Sequence, residues 1–154
     1  DAGCSMDMYV RMVEELFSAC RTEFKHMEYF YFHNCPYDHV WRDNKRRHDE
    51  RTSLWDVLHT YPSDYKVVFV GDASMSLYEI VYPGGAVEYW NEEAGVTWME
   101  RVLNVYAHAV WLNPVEQNWW GHTQSIGMIN QIMSERMFPF TLEGLDEAMR
   151  ELSR

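Results

Sequence analysis

Apolar and polar residues alternate along this chain with a helical period in six stretches. The first predicted helix covers residues 6–22, where apolar side chains recur at positions 9, 13, 16, 17 and 20. A short helix follows from Leu54 to the residue before Pro62, with Thr52 or Ser53 as its expected cap. The remaining predicted helices cover residues 74–81, 96–106, 122–133 and 142–152, the last capped by Thr141.

Strand patterns lie between these helices. The clearest is KVVFVG at residues 66–71, a continuous apolar run typical of a strand buried on both faces. The aromatic run MEYFYFH predicts a buried strand at 27–33, and YDHVW a short return strand at 37–41. Two more strands are expected at 108–114 and near 136–140. Because helices and strands alternate, we predict an α/β fold in three layers, with a mostly parallel sheet and helices on both faces.

Length and charge narrow the possible functions. The 154 residues suit one domain, and the formal charge of −11 opposes binding to nucleic acid or to anionic membranes. No apolar run reaches the roughly 18 residues of a membrane span. The cysteines are few and odd in number, at Cys4, Cys20 and Cys35, which favours reduced thiols and a cytoplasmic location.

Oxygen-bearing side chains are expected to meet at one edge of the sheet. Asp1, Gly3 and Ser5 precede the first helix in a D-x-G-x-S pattern, Thr52 precedes the second, and Asp72 follows the strand at 66–71. Ligands of an open α/β sheet gather beyond the carboxyl ends of its strands, and a hard cation such as Mg²⁺ prefers oxygen ligands. The plainer alternative is that the hydroxyls cap helices and the carboxylates belong to ordinary loops.

This pattern resembles the metal-ion-dependent adhesion site (MIDAS) of von Willebrand factor A (VWA) domains. The segments FKHMEYFYFHNCPYDHVW, DYKVVFVGDASMS, WNEEAG, AVWLNP and TLEGLDEAM extend the likeness to the bacterial CoxE-like group. The resemblance implies a Rossmann-like VWA fold that binds proteins and is not an enzyme. It implies Mg²⁺, or another divalent cation, held directly by Ser5 and Thr52 and largely through water by Asp1 and Asp72. The last coordination position would accept a partner's Asp or Glu. The implied partners are a MoxR-type AAA+ ATPase and its client in metalloenzyme assembly or activation.

Two features depart from the family pattern. Gly3 stands where most VWA domains have a serine, so water must replace one hydroxyl ligand. The strand that would lead into Asp1, which is central in the VWA topology, is absent from the sequence. We therefore expect residues 1–154 to be the C-terminal part of a longer protein that continues upstream of Asp1.

Two other functions stay open: a Mg²⁺-dependent phosphoryl-transfer hydrolase using Asp1 or Asp72, and a VWA-like scaffold that binds no metal.

Histidine and cysteine residues offer a weaker site. His33, Cys35 and His39 have spacings that can hold zinc if His26 or His48 adds a ligand, and Cys35 with His33 resembles a nucleophile pair. A buried histidine at a strand end and a small buried thiol are the more ordinary interpretation.

Basic and tryptophan residues are the last candidates. Five basic residues lie in the polar stretch 42–51, which is either a solvated loop or a docking site for an acidic partner; they are Arg42, Lys45, Arg46, Arg47 and Arg51. We expect Trp55, Trp98 and Trp111 in the core. Trp119 and Trp120 either cover the edge of the sheet or lie exposed for a partner.

Overall fold

The computed structural model describes residues 11, 13, 14, 26–43, 45–87 and 89–154, and in residues 26–154 it gives the bounds of five short strands and five α-helices. The strands are β1 His39–Trp41, β2 Arg51–Ser53, β3 Val67–Val70, β4 Ala109–Asn113 and β5 Met137–Pro139. The α-helices are α1 Leu54–Thr60, α2 Leu77–Val81, α3 Gly95–Val105, α4 Gln124–Ile132 and α5 Leu142–Leu152. Two 3₁₀ helices cover His48–Glu50 and Gln117–His122.

Strands β3, β4 and β5 form a parallel sheet in sequence order. Val67 pairs with Ala109, and Trp111 pairs with Met137. Each parallel connection contains helices, α2 and α3 before β4 and α4 before β5, because parallel neighbours need a long crossover. Strands β1 and β2 form a separate antiparallel pair.

Alternate side chains of the parallel sheet pack against helices on opposite faces, as the two-residue period of a strand requires. Phe69 and Trp111 stack at 5.3 Å on one face, in a core that includes buried residues of α1, α3 and α4. Val110 and Leu112 face the other way and pack with Ala148 of α5. The prediction of an α/β fold with a parallel sheet between helices is therefore confirmed.

The predicted strand at 27–33 is wrong. Tyr31 exchanges two backbone hydrogen bonds with Trp41, at 2.7 and 3.0 Å, but this is an isolated bridge and the segment forms no continuous ladder. Phe32 instead packs edge-on against Phe69 and Trp111, with ring centroids 6.3 and 6.2 Å away. The aromatic run thus covers one face of the sheet, and ring packing takes the place of strand pairing.

Most other elements agree with the sequence pattern. Thr141 caps α5 as predicted, because its hydroxyl accepts a 3.0 Å hydrogen bond from the Gly144 amide. The helix predicted at 74–81 begins later, at Leu77, where Ser76 and Glu79 form a capping box. The helix predicted at 6–22 is described only at residues 11, 13 and 14, which are helical.

Candidate functional site

The loop after β3 carries the one acidic residue of the predicted ion site that the structure describes. Asp72 is half-buried at the carboxyl end of β3, and its Oδ1 accepts a 2.9 Å hydrogen bond from the Ser74 amide. Ala73 is fully buried with φ +56°, in the left-handed region that residues with a Cβ rarely adopt. The chain therefore turns sharply here, which leaves the carboxylate at the end of the parallel sheet.

Buried side chains hold both carbonyls that flank Asp72. The Trp111 indole donates a 2.8 Å hydrogen bond to the Gly71 carbonyl. The Ser125 hydroxyl donates a 2.7 Å hydrogen bond to the Ala73 carbonyl and accepts one of 3.0 Å from the Met75 amide. The backbone on each side of Asp72 is thus fixed from β4 and α4.

The neighbouring loop begins at the carboxyl end of β4. Asn113 is fully buried, and its Oδ1 accepts a 2.9 Å hydrogen bond from the Val115 amide. The Trp120 indole donates a 2.8 Å hydrogen bond to the Val115 carbonyl, so this ring covers the loop. Trp119 is 57% exposed. The two tryptophans therefore differ: Trp120 covers the loop at the edge of the sheet, and Trp119 is exposed.

Thr52 lies in a different setting from the one predicted. It is a half-buried residue of β2, paired with Val40, and not part of a loop that opens α1. Ser53 occupies the position before α1, but its side chain makes no capping hydrogen bond. Thr52 thus lies in the β1–β2 pair and Asp72 in the loop after β3, and neither side chain is the hydrogen-bond partner of the other. Asp1, Gly3 and Ser5 lie outside the described residues.

The donor chemistry of Thr52 and Asp72 suits a hard cation. A half-buried carboxylate and a hydroxyl offer the oxygen ligands that Mg²⁺ prefers, and neither offers the nitrogen or sulfur that zinc favours. Among the described residues, no three His, Cys, Asp or Glu side chains lie close enough together to hold a metal ion. Of the predicted ligands, only Asp72 is both acidic and within that part of the chain.

Three serines near Asp72 were not singled out from the sequence. Ser74 and Ser76 follow Asp72 in a D-x-S-x-S pattern, with the same spacing as the D-x-G-x-S pattern of Asp1, Gly3 and Ser5, and this second occurrence was visible in the sequence. The structure uses them locally, since the Ser74 amide bonds Asp72 and the Ser76 hydroxyl caps α2. Ser125 gives no comparable signal, because it reaches the loop from a position 50 residues away in sequence.

Cys35 and His39, two members of the predicted histidine and cysteine site, are buried core residues. Cys35 is fully buried with its Sγ 3.5 Å from the Met75 Sδ, and burial, with a smaller contribution from Glu79, raises the pKa of the thiol far above its ordinary value. A thiol nucleophile needs the opposite shift. His39 is buried, and its Nδ1 lies 2.7 Å from the Asp38 Oδ1. These environments speak against a nucleophilic role for Cys35.

The described residues of the basic stretch 42–51 are mostly exposed, and they include the 3₁₀ helix His48–Glu50 and the first residue of β2. Arg42, Lys45, Arg47 and Arg51 are exposed, and Arg46 is half-buried. Arg42 donates hydrogen bonds of 2.9 Å to Glu28 and 3.2 Å to the Tyr61 hydroxyl. Its guanidinium also lies 4.4 Å from the Phe30 ring centroid. That arginine is therefore engaged within the domain.

Two of the three tryptophans predicted for the core are buried. Trp111 and Trp98 are buried, whereas Trp55 is 45% exposed and its core assignment is wrong. The two rings contact each other edge-on with centroids 5.2 Å apart, and the Arg101 guanidinium lies over both of them, 4.9 Å from the Trp55 centroid and 4.4 Å from that of Trp98. Trp55 thus covers a cation at the surface, an arrangement that its sequence position alone did not indicate.

Comparisons with known proteins add no family assignment. No protein-family model matches the chain, and no curated protein or solved structure was found to be similar to it. In the part of the chain that the structure describes, no helix is both long and apolar enough to cross a membrane.

Proposed function

We propose that this chain is a VWA-like, protein-binding domain that captures a carboxylate of a partner protein at a MIDAS-type cation site. The Rossmann-like VWA arrangement of the sheet and a cytoplasmic location are parts of the same proposal. The observation that carries it is the Asp72 carboxylate on a braced loop at the carboxyl end of a parallel strand. Ligands of open α/β sheets bind at that edge.

The residues that would hold the cation are Asp72, Thr52, Ser5 and Asp1, with water in place of a side-chain ligand at Gly3. When bound, a divalent cation would supply the positive charge that a partner's Asp or Glu needs at this acidic surface. The chain itself carries a formal charge of −11, which repels a partner carboxylate. Asp72 and its loop therefore contribute a fixed oxygen ligand, and partner capture depends on the cation.

By the resemblance to the CoxE-like group, the proposed partners are a MoxR-type AAA+ ATPase and the metalloenzyme client on which it acts. Such a role needs reversible binding and no covalent chemistry from this chain. That requirement agrees with the raised pKa of the Cys35 thiol, which keeps the group neutral and unreactive.

Asp72→Asn should abolish magnesium-dependent partner binding while leaving the fold intact, because it removes a charged ligand and keeps the side-chain shape. The measurement is capture of a MoxR-type ATPase and its client by the full chain in Mg²⁺, compared with capture in a chelator. The matched control is Asp64→Asn, which removes an exposed carboxylate before β3, at the opposite end of the same strand.

Three other results would contradict the proposal in different ways. Equal capture with and without the chelator favours a scaffold that binds no metal. If Asp64→Asn reduces partner capture as strongly as Asp72→Asn does, the loss is a general effect of charge. Magnesium-dependent release of phosphate from a generic phosphomonoester, lost in Asp72→Asn, would identify the hydrolase instead.

A further inference from the structure

Ser125 reaches the Asp72 loop from the first turn of α4. It is 1% exposed, and its hydroxyl makes two hydrogen bonds to that loop, one to the Ala73 carbonyl and one from the Met75 amide. Both the donor and the acceptor capacity of this hydroxyl are therefore used by the segment that follows Asp72. These two hydrogen bonds satisfy a buried hydroxyl and join α4 to the loop.

The backbone that Ser125 holds is unfavourable in isolation. Ala73 has φ +56° and is fully buried, although alanine lacks the conformational freedom of glycine. Such a conformation persists only where surrounding contacts determine it, and strained residues of this kind cluster at binding sites. The contacts here are the Ser125 hydroxyl on the Ala73 carbonyl and the Trp111 indole on the Gly71 carbonyl.

The direction of Asp72 depends on this backbone. Its Oδ1 is tied to the Ser74 amide, so the carboxylate moves with the peptide groups between Ala73 and Met75. Releasing the Ala73 carbonyl and the Met75 amide would let the segment leave the left-handed turn. The carboxylate would then sample several positions before a ligand arrives.

We propose that Ser125 is a positioning residue that holds the Asp72 carboxylate ready for a cation. The inference deepens the proposed function and rests on it for the ligand, whereas the bracing of the loop is a property of the protein alone. Ser125 touches no ligand in this role. It acts through the peptide groups on either side of Ser74, and so it reduces the ordering that binding would otherwise require.

The test uses the full chain with Ser125→Ala and Ser125→Cys. Hydrogen exchange of the Met75 amide should be fastest in Ser125→Ala and intermediate in Ser125→Cys, because a thiol is a weaker hydrogen-bonding group of similar size. The dissociation constant for Mn²⁺, used as a probe of the cation site, should rise about tenfold in Ser125→Ala, the loss expected for one buried hydrogen bond.

The matched control is Tyr106→Phe. Tyr106 precedes β4 and therefore lies at the amino end of the sheet. Its hydroxyl donates to two carbonyls, that of Tyr61 at 3.0 Å and that of Val57 at 3.4 Å. This variant also removes the hydrogen bonding of the hydroxyl of a buried residue, but it should leave both Met75 exchange and Mn²⁺ affinity unchanged. It thus separates a general loss of stability from a local effect on the loop.

The outcomes distinguish this inference from the proposed function. Unchanged Met75 exchange in Ser125→Ala would overturn the bracing role, whatever the metal does. Faster exchange with unaltered Mn²⁺ affinity would overturn the positioning role. If the unaltered chain binds no Mn²⁺, the proposed function fails, and so does the claim that the brace serves a cation.

Discussion

His39 is a buried imidazole between a carboxylate and two aromatic rings. Its Nδ1 lies 2.7 Å from the Asp38 Oδ1, and its ring centroid lies 4.8 Å from that of Trp41 and 4.5 Å from that of Tyr89. Burial lowers the pKa of His39, with smaller contributions from Arg51 and His48, and this outweighs the opposing effect of Asp38. The residue is therefore neutral at pH 7, which suits a core position and not an acid–base role at the surface.

The lowered pKa of His39 predicts that the domain loses stability in mild acid. The unfolded chain takes up a proton on this histidine near its ordinary pKa of about 6.5, whereas the folded chain resists until a lower pH. The contribution is thus fully present above about pH 6.5 and is lost as the pH falls toward the folded value. Denaturant unfolding at a series of pH values should show this slope.

The variant His39→Gln should remove that part of the pH dependence, with His59→Gln as its control. His59 is exposed on α1 and stacks on the Trp55 ring, so its replacement keeps the buried site intact. A slope between pH 7 and pH 5 that persists unchanged in His39→Gln would assign the titration to another group.

At the scale of elements, the segment 26–33 contributes through its rings. Phe32 is buried against Phe69 and Trp111, and these three rings join the segment to two strands of the parallel sheet. The two backbone hydrogen bonds of Tyr31 connect it to β1 only. The attachment of this segment to the parallel sheet therefore depends mainly on apolar packing.

Truncating Phe32 should accordingly be among the costly core substitutions. Phe32→Ala should lower the free energy of unfolding by about 3–5 kcal/mol, because it removes buried ring surface and leaves a cavity. Phe32→Leu fills most of the same volume and should cost less. Urea unfolding of both variants gives the comparison. A loss below about 1 kcal/mol in Phe32→Ala would mean that the segment covers the sheet without stabilising it.

Local patterns were predictable for elements that depend on local chemistry. The strand at 67–70 follows from a continuous apolar run, and the start of α5 follows from a threonine cap. The segment 27–33 has the residues of a strand, but strand pairing depends on distant backbone, and in the folded chain Phe32 packs its ring on the sheet face. Trp55 was misplaced because Arg101, which covers its ring, lies 46 positions further along the chain.

The residues of the candidate site also differ in how far local sequence could predict their positions. Asp72 was found because it directly follows a recognisable strand. Ser125 was missed because a serine in an amphipathic helix has no distinguishing local pattern, and only the folded chain brings it to the Ala73 carbonyl. Thr52 was predicted in a loop before α1 but lies in β2, because the pairing of β1 with β2 depends on the loop between them.

At the scale of the whole molecule, the formal charge of −11 opposes folding. Like charges on a small domain repel one another, and this repulsion weakens when salt shortens the screening length. Raising a monovalent salt from about 0.01 to about 0.15 M cuts that length from about 30 to about 8 Å. We therefore expect the melting temperature to rise over this range, whatever the domain binds.

A specific cation site adds a second effect that ionic strength alone cannot produce. Mg²⁺ that binds the folded chain and not the unfolded chain stabilises it by about 2.7 kcal/mol at a hundredfold excess over the dissociation constant. At matched ionic strength, MgCl₂ should therefore raise the melting temperature more than KCl. Asp72→Asn should lose this excess because it removes a proposed ligand, whereas Asp64→Asn should keep it. The two variants carry the same net charge, so a difference between them cannot come from screening. An equal response of the two variants to MgCl₂ would show that Mg²⁺ acts only by screening, and would remove the cation from the proposed mechanism of partner capture.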